Sequence, residues 1–263
     1  MTAEAAPPAV LSEQRDRVLL LTLNRPQVLN AITPAVLDLL TRGLRDAADD
    51  SSVRAVVITG AGRAFCSGQD LKAAASEAGV DVETMLREHY HPLITAMRAI
   101  PKPLIAAVNG VAAGAGVSLA LAADLRIAAE SATFVQAFVR IGLIPDAGST
   151  YFLPRLVGPA RAAELMLLGD SVDSATAERI GLVNRVVPDA RVVEEALALA
   201  GRLAAAPKSV ELIKQALSAS AANDLEAQLA VEERLQGEAT RTSDFVEGIS
   251  AFLEKRPASF GGS

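Results

Sequence analysis

Three short apolar stretches rich in branched side chains, residues 18–23, 54–59 and 104–108, punctuate the first half of the chain. Each ends in turn chemistry: Asn24-Arg25-Pro26, Gly60-Ala61-Gly62 and Asn109-Gly110. Unbroken apolar runs of that length, bounded by turn residues, predict buried strands. A fourth, shorter run follows at 124–128. Between the first two, Thr33 and Pro34 precede Val36, Leu37, Leu40 and Leu44, which share one helical face. A capping residue, a proline at the first helical position and that spacing predict an amphipathic helix. From about Pro159 the pattern turns helical, with helices predicted over 160–168, 191–205, 210–219, 225–236 and 244–254.

Strands alternating with helices predict an α/β core. The organisation read from the pattern is a disordered leader over 1–14, a body over 15–200 and a helical region over 201–263. No internal repeat stands out, and no linker is long enough to demand a second domain.

Composition narrows the classes. Hydrophobic residues make up 51% of the 263, yet the longest apolar candidate is interrupted by Asn109, Gly110, Gly114 and Gly116. A membrane span needs about 18 unbroken apolar residues, so a soluble protein is predicted. Aromatics are only 3%, Trp is absent and the net charge is −6, all of which speak against a nucleic-acid partner. The single cysteine, Cys66, leaves no internal disulfide and fits a reducing compartment. The first ten residues carry no Lys or Arg, unlike secretory or transit peptides, so a cytoplasmic location is expected.

Four segments have chemical potential. Residues 63–71 (Arg63-Ala64-Phe65-Cys66-Ser67-Gly68-Gln69-Asp70-Leu71) leave a predicted strand, and such a loop can aim amides into a cleft. A plain connecting turn is the competing reading. Residues 109–118 join a strand to a small-residue helix through Gly110, Gly114 and Gly116, which places unpaired amides and a positive dipole end at the helix start. The glycine spacing is not that of a dinucleotide fingerprint; tight helix packing and an oxyanion site both fit it. Asp146 lies among Ile141, Leu143, Ile144 and Pro145, where burial would raise its pKa toward that of a proton-shuttling acid. It would equally serve to cap a helix over 147–156. Near the C-terminus, Phe252, Lys255 and Arg256 pair an aromatic with cations, a combination that suits either a solvated surface or a phosphorylated nucleotide. His89 and His91 lack metal-ligand spacing, so no metal is expected, and with Tyr90 they read as a helix shaping a pocket.

In this order the segments resemble the crotonase (enoyl-CoA hydratase/isomerase) family. The resemblance rests on Leu23-Asn24-Arg25-Pro26, the Phe65–Leu71 string, Pro101-Lys102-Pro103 through Asn109-Gly110, residues 142–149, Gly181-Leu182-Val183 and Ser250 through Arg256. It spans roughly residues 15–260. It implies a spiral of ββα units with a helical trimerisation region, and a homotrimer or homohexamer. It also implies an acyl-CoA thioester substrate, with coenzyme A part of the substrate and no separate cofactor. By that likeness the amides of Gln69 and Ala115 form an oxyanion hole. Arg25, Ala64, Ser67, Gly68, Asp70, Leu71 and Gly114 lie along the substrate, and Phe252 and Lys255 near the CoA nucleotide across a subunit boundary.

Where family hydratases carry two glutamates, this chain has Ser118 and Phe138, while Asp146 stands where they have glycine. An acid there resembles the isomerase and dehalogenase branches, and the string Gly142-Leu143-Ile144-Pro145-Asp146 is most similar to the ring-expanding epoxyphenylacetyl-CoA isomerases. The expectation is an isomerase with Asp146 as proton shuttle. A hydratase, an aryl-CoA dehalogenase and a non-catalytic acyl-CoA binder are the alternatives. Acyl identity is expected to depend on residues 73–97.

Overall fold

The computed structural model describes residues 7–72 and 81–262. Of the expected leader, residues 1–6 lie outside the described residues, as do 73–80 of the acyl-specificity segment.

Two sheets carry the body. The first contains β1 (Val10–Arg15), β2 (Val18–Leu23), β3 (Ala55–Gly60), β5 (Leu104–Val108), β7 (Leu125–Ala129) and β10 (Arg185–Val187), in that order. The second contains β4 (Ala64–Cys66), β6 (Val111–Ala113), β8 (Thr133–Val135) and β9 (Ser171–Asp173). Successive pairs β3/β4, β5/β6 and β7/β8 therefore place one strand in each sheet, so the chain winds as a spiral. All pairings are parallel except β1 with β2 and β8 with β9.

Every residue of β3 and β5 is buried, as parallel strands covered on both faces require. This is why unbroken apolar runs, rather than alternation, announced them. β1 corrects the leader boundary: residues 10–14 are not disordered but form an antiparallel edge strand, Val10 opposite Leu23 through Arg15 opposite Val18. Its burial is confined to Val10, so the sequence VLSEQR showed no apolar pattern, and main-chain pairing supplies the order instead.

The helix α1 (Pro34–Asp49) starts after Thr33 and buries Val36, Leu37, Leu40 and Leu44. A helical turn (Val82–Met85) and a π turn (Leu86–Tyr90) lead into α2 (His91–Ala99). Next come α3 (Ala115–Ala122), α4 (Ser149–Val157), α5 (Pro159–Leu168) and α6 (Ser174–Arg179). The C-terminal part is α7 (Val192–Ala204), α8 (Ser209–Ser220), α9 (Leu225–Ala239) and α10 (Ser243–Glu254). The expected boundary at residue 200 falls inside α7, which packs on β3, β5 and β7 and belongs to the body.

Beyond it, α8 is fastened by Lys214, whose ammonium meets Asp124 at 2.7 Å and the Lys102 carbonyl at 2.9 Å. The tail is pinned by Asp244, whose carboxylate accepts from the amides of Lys208, Gly261 and Gly262. Among the described residues no helix is long and apolar enough to cross a membrane.

Candidate active site

β4 and β6 lie side by side and parallel, Ala64 opposite Val111 and Cys66 opposite Ala112. The segments that come after them, residues 67–70 and 114–115, therefore leave the same end of the sheet together. Two glycines allow their contact. A Cβ on Gly116 would stand 2.2 Å from the carbonyl oxygen of Cys66. One on Gly68, which has φ of +89°, would stand 2.8 Å from the Ala113 carbonyl oxygen and 3.4 Å from the Ala115 nitrogen. No side chain fits either place, and glycine also tolerates the left-handed backbone.

Ala115 is the first residue of α3, so its N–H has no acceptor within the helix and sits at the positive end of the helix dipole. Gln69 bridges Ile32 in parallel register: the Ile32 amide donates to the Gly68 carbonyl at 2.8 Å, and the Asp70 amide to the Ile32 carbonyl at 2.9 Å. That pattern turns the Gln69 N–H away from Ile32. The structure thus brings Gln69, Gly68, Gly114 and Ala115 together.

Asp146 approaches the same helix. The Ser118 hydroxyl, one turn into α3, donates to the Asp146 carbonyl at 3.0 Å and shares a 2.8 Å hydrogen bond with Ser149 Oγ. Gln136 Nε2 donates to Ser149 Oγ at 3.1 Å. After Asp146 the backbone makes two left-handed residues, Ala147 at φ +47° and Gly148 at +82°. Left-handed geometry costs a non-glycine residue about 1 kcal/mol and marks positions that the surroundings over-determine. Helix α4 begins only at Ser149, so the capping reading of Asp146 fails: its carboxylate does not serve that helix. Asp146 Oδ1 is instead buried without a hydrogen-bond partner.

Desolvation, the dominant influence, raises the Asp146 carboxyl from an ordinary 3.8 to about 6, against a smaller lowering by His91 and by its own amide. An acid poised there can take and return protons near neutral pH.

Tyr90 reaches the Gln69 loop. Its hydroxyl donates to Gln69 Oε1 at 2.6 Å. The phenol is held protonated first by burial and then by the Asp146 charge. Sequence reasoning gave Tyr90 only a pocket-shaping place, and helical periodicity offers no signal for this contact. Phe138 packs against Gly114, 3.8 Å from where that residue's Cβ would be. The positions at which a hydratase of this resemblance carries glutamates are thus a serine hydroxyl engaged by its neighbours and an apolar ring.

The remaining expected residues divide. Arg25 donates to Asp70 Oδ2 at 3.0 Å and to the Ala31 carbonyl at 2.7 Å, bracing the loop. Ser67 is tied to Leu29 and Val28. Ala64 is buried, and its carbonyl accepts from Asn30 and Asn109; Leu71 is exposed. Phe252 and Lys255 are not brought to the site within one chain. Phe252 is 82% exposed on α10 and lines a separate groove with Phe245, Ile249 and Phe260. A cleft of about 780 Å³ between α2, α4 and α8 includes none of the expected site residues. Cys66 is buried, which pushes its thiol up to about 12 and disfavours the nucleophilic thiolate.

Comparison with known proteins places this geometry. Residues 13–263 match the family model described as Enoyl-CoA hydratase/isomerase. A probable enoyl-CoA hydratase of Rhodobacter capsulatus is 51% identical over 92% of this chain and 93% of its own length. The 1,2-epoxyphenylacetyl-CoA isomerase of Escherichia coli is 43% identical over 96% of this chain and 98% of its own. The crystal structure of an enoyl-CoA hydratase from Bacillus anthracis superposes with a TM-score of 0.93 at 35% identity, covering 97% of this chain and all of that one.

Proposed function

The chain belongs to the enoyl-CoA hydratase/isomerase family, the crotonases, and from that premise we propose that it is a CoA-thioester isomerase in which Asp146 moves the proton. The reading rests on one observation above all. The carboxyl of Asp146 has one oxygen buried and unpartnered, and the residue's main-chain carbonyl accepts from Ser118 on the helix whose first amide borders the Gln69 loop.

In the proposed cycle Asp146 takes a proton from a carbon of the acyl group. The charge that develops on the thioester oxygen is received by the N–H groups of Gln69 and Ala115. The same carboxyl then returns the proton to a different carbon, shifting a double bond. Donors already aimed at the developing oxyanion contribute on the order of 3 kcal/mol each, and a positioned proton shuttle about 10²–10⁴-fold in rate. With Ser118 and Phe138 where family hydratases carry glutamates, no carboxylate pair activates water at those positions. The substrate's own coenzyme A is the sole group the reaction requires.

The Escherichia coli isomerase supports rearrangement of epoxyphenylacetyl-CoA as a substrate reading. The Rhodobacter capsulatus relative, named a probable hydratase, favours hydration as a second reading. Assembly into trimers or hexamers in the cytoplasm completes the proposal, supported by exposed Leu225, Leu229, Phe252 and Leu253 on the C-terminal helices.

The test compares wild type and Asp146→Asn on 3-enoyl-CoA isomerisation, 2-enoyl-CoA hydration and epoxyphenylacetyl-CoA rearrangement. Wild type isomerises, and the Asn variant binds acyl-CoA without turnover. An active Asn variant, or a wild type that only hydrates, refutes the assignment.

A further inference from the structure

We infer that Tyr90 is a positioning residue for the oxyanion loop, aimed at Gln69 by the π turn over residues 86–90; this rests on the enolate reading above. The helix containing Tyr90 starts regularly, with the Asp81 side chain capping Thr84, and then changes pitch over Leu86–Tyr90 before resuming as α2. A π turn inserts one residue into the helical ladder and re-aims the side chains beyond it; such turns gather at functional sites. On this turn His89 meets α1, its Nδ1 2.8 Å from Asp38 Oδ1. Tyr90, the one buried residue of the turn, donates to Gln69 Oε1 at 2.6 Å.

The contribution of that bond depends on how the loop is otherwise held. Ser67 is fixed by the Leu29 carbonyl, and Gly68 and Asp70 are fixed by Ile32. These anchors hold the main chain of the loop. The phenol adds a hold on the Gln69 side chain, which none of them touches, and so restrains the residue that carries the donor N–H. An oxyanion donor depends on direction, and misplacement by an ångström lowers rates about 10²-fold.

Cinnamoyl-CoA, whose absorption moves to the red when its carbonyl is polarised, reads the effect directly. It is titrated into wild type, Tyr90→Phe, Gln69→Met and the double variant, alongside turnover measurements. Wild type shifts the absorption. Each single variant is expected to lose at least half of that shift and about tenfold in kcat, with KM changed less than about threefold. The double variant is expected to be no worse than either single, because both remove one bond. Should Tyr90→Phe fail to fold, Gln69→Met reads the same bond from its other end. Unchanged shift and kcat in a folded variant, or losses that add in the double variant, overturn the inference. A wild type without any red shift instead overturns the enolate reading, and this inference with it.

Discussion

The hydroxyl of Ser118 donates to the main-chain carbonyl of Asp146 at 3.0 Å, tying the acid's own peptide to the first turn of the helix that begins at Ala115. Ser118 is fully buried and continues into Ser149 and Gln136. Replacing it with Ala leaves the Asp146 carbonyl without this donor, at about 1–3 kcal/mol. Ser118→Ala is expected to lower kcat about tenfold with a smaller effect on KM, and Ser118→Thr to recover part of it. Steady-state kinetics of the two variants check this.

On the proposed reading the raised carboxyl sets the pH profile. Asp146 must be ionised to accept a proton, and its pKa of about 6 sets the acidic limb. The ratio kcat/KM should rise with pH through about 6 and level above it, whereas an unperturbed aspartate would already be ionised above about 4. A profile flat between pH 5 and 8 contradicts the assignment of Asp146 as the base.

The same shift has a stability sign. A carboxyl whose folded pKa, about 6, exceeds its ordinary 3.8 binds its proton more tightly in the folded state. Folding is therefore penalised above pH 6 and the penalty vanishes below pH 4. Asp146 retains some solvent access, so the full shift is discounted to about 1–2 kcal/mol. Asp146→Asn is expected to melt higher than wild type at pH 8, with the difference closing as pH falls through 6 toward 4. Thermal melts across that range read it.

Gly68→Ala tests the contact between the loops. The added Cβ would meet the Ala113 carbonyl oxygen at 2.8 Å on a backbone with φ of +89°. The two segments must part, and kcat/KM is expected to fall at least about 100-fold. Circular dichroism is expected to show retained secondary structure. Wild-type turnover by this variant would mean that the close approach is not needed.

Asp244→Ala removes the carboxylate that accepts from Lys208, Gly261 and Gly262. Removing the acceptor of these part-buried N–H groups costs about 1–2 kcal/mol in all. The urea midpoint is expected to fall accordingly, and an unchanged midpoint would show that the tail contributes nothing to stability.

Much of this architecture was legible in the sequence where one physical signal acted alone. Residues 18–23 and 104–108 coincide with β2 and β5 because strands buried on both faces must be apolar throughout. The helix at Thr33-Pro34 declared itself by its proline and its stripe, although the Thr33 side chain makes no capping bond. β1 stayed hidden because its exposed face is polar and main-chain bonding to β2 holds it. The second sheet was invisible because its strands are three residues long and pair only through distant partners. At the site, Gln69, Ala115 and Asp146 stood out through motif and context. The Tyr90 contact did not, because regular helical spacing cannot anticipate a π turn.

Both proposed oxyanion donors are peptide N–H groups, which every amino acid except proline supplies. Mutation of the surrounding side chains can therefore exchange acids, hydroxyls and rings, as at Ser118, Phe138 and Asp146, while the site keeps its hold on a negative oxygen. The constraint at the contact of the two loops falls on Gly68 and Gly116, where an added Cβ would strike the backbone of the facing segment. A lineage that preserves those two can acquire a new reaction through a handful of substitutions without first losing the means to hold the intermediate.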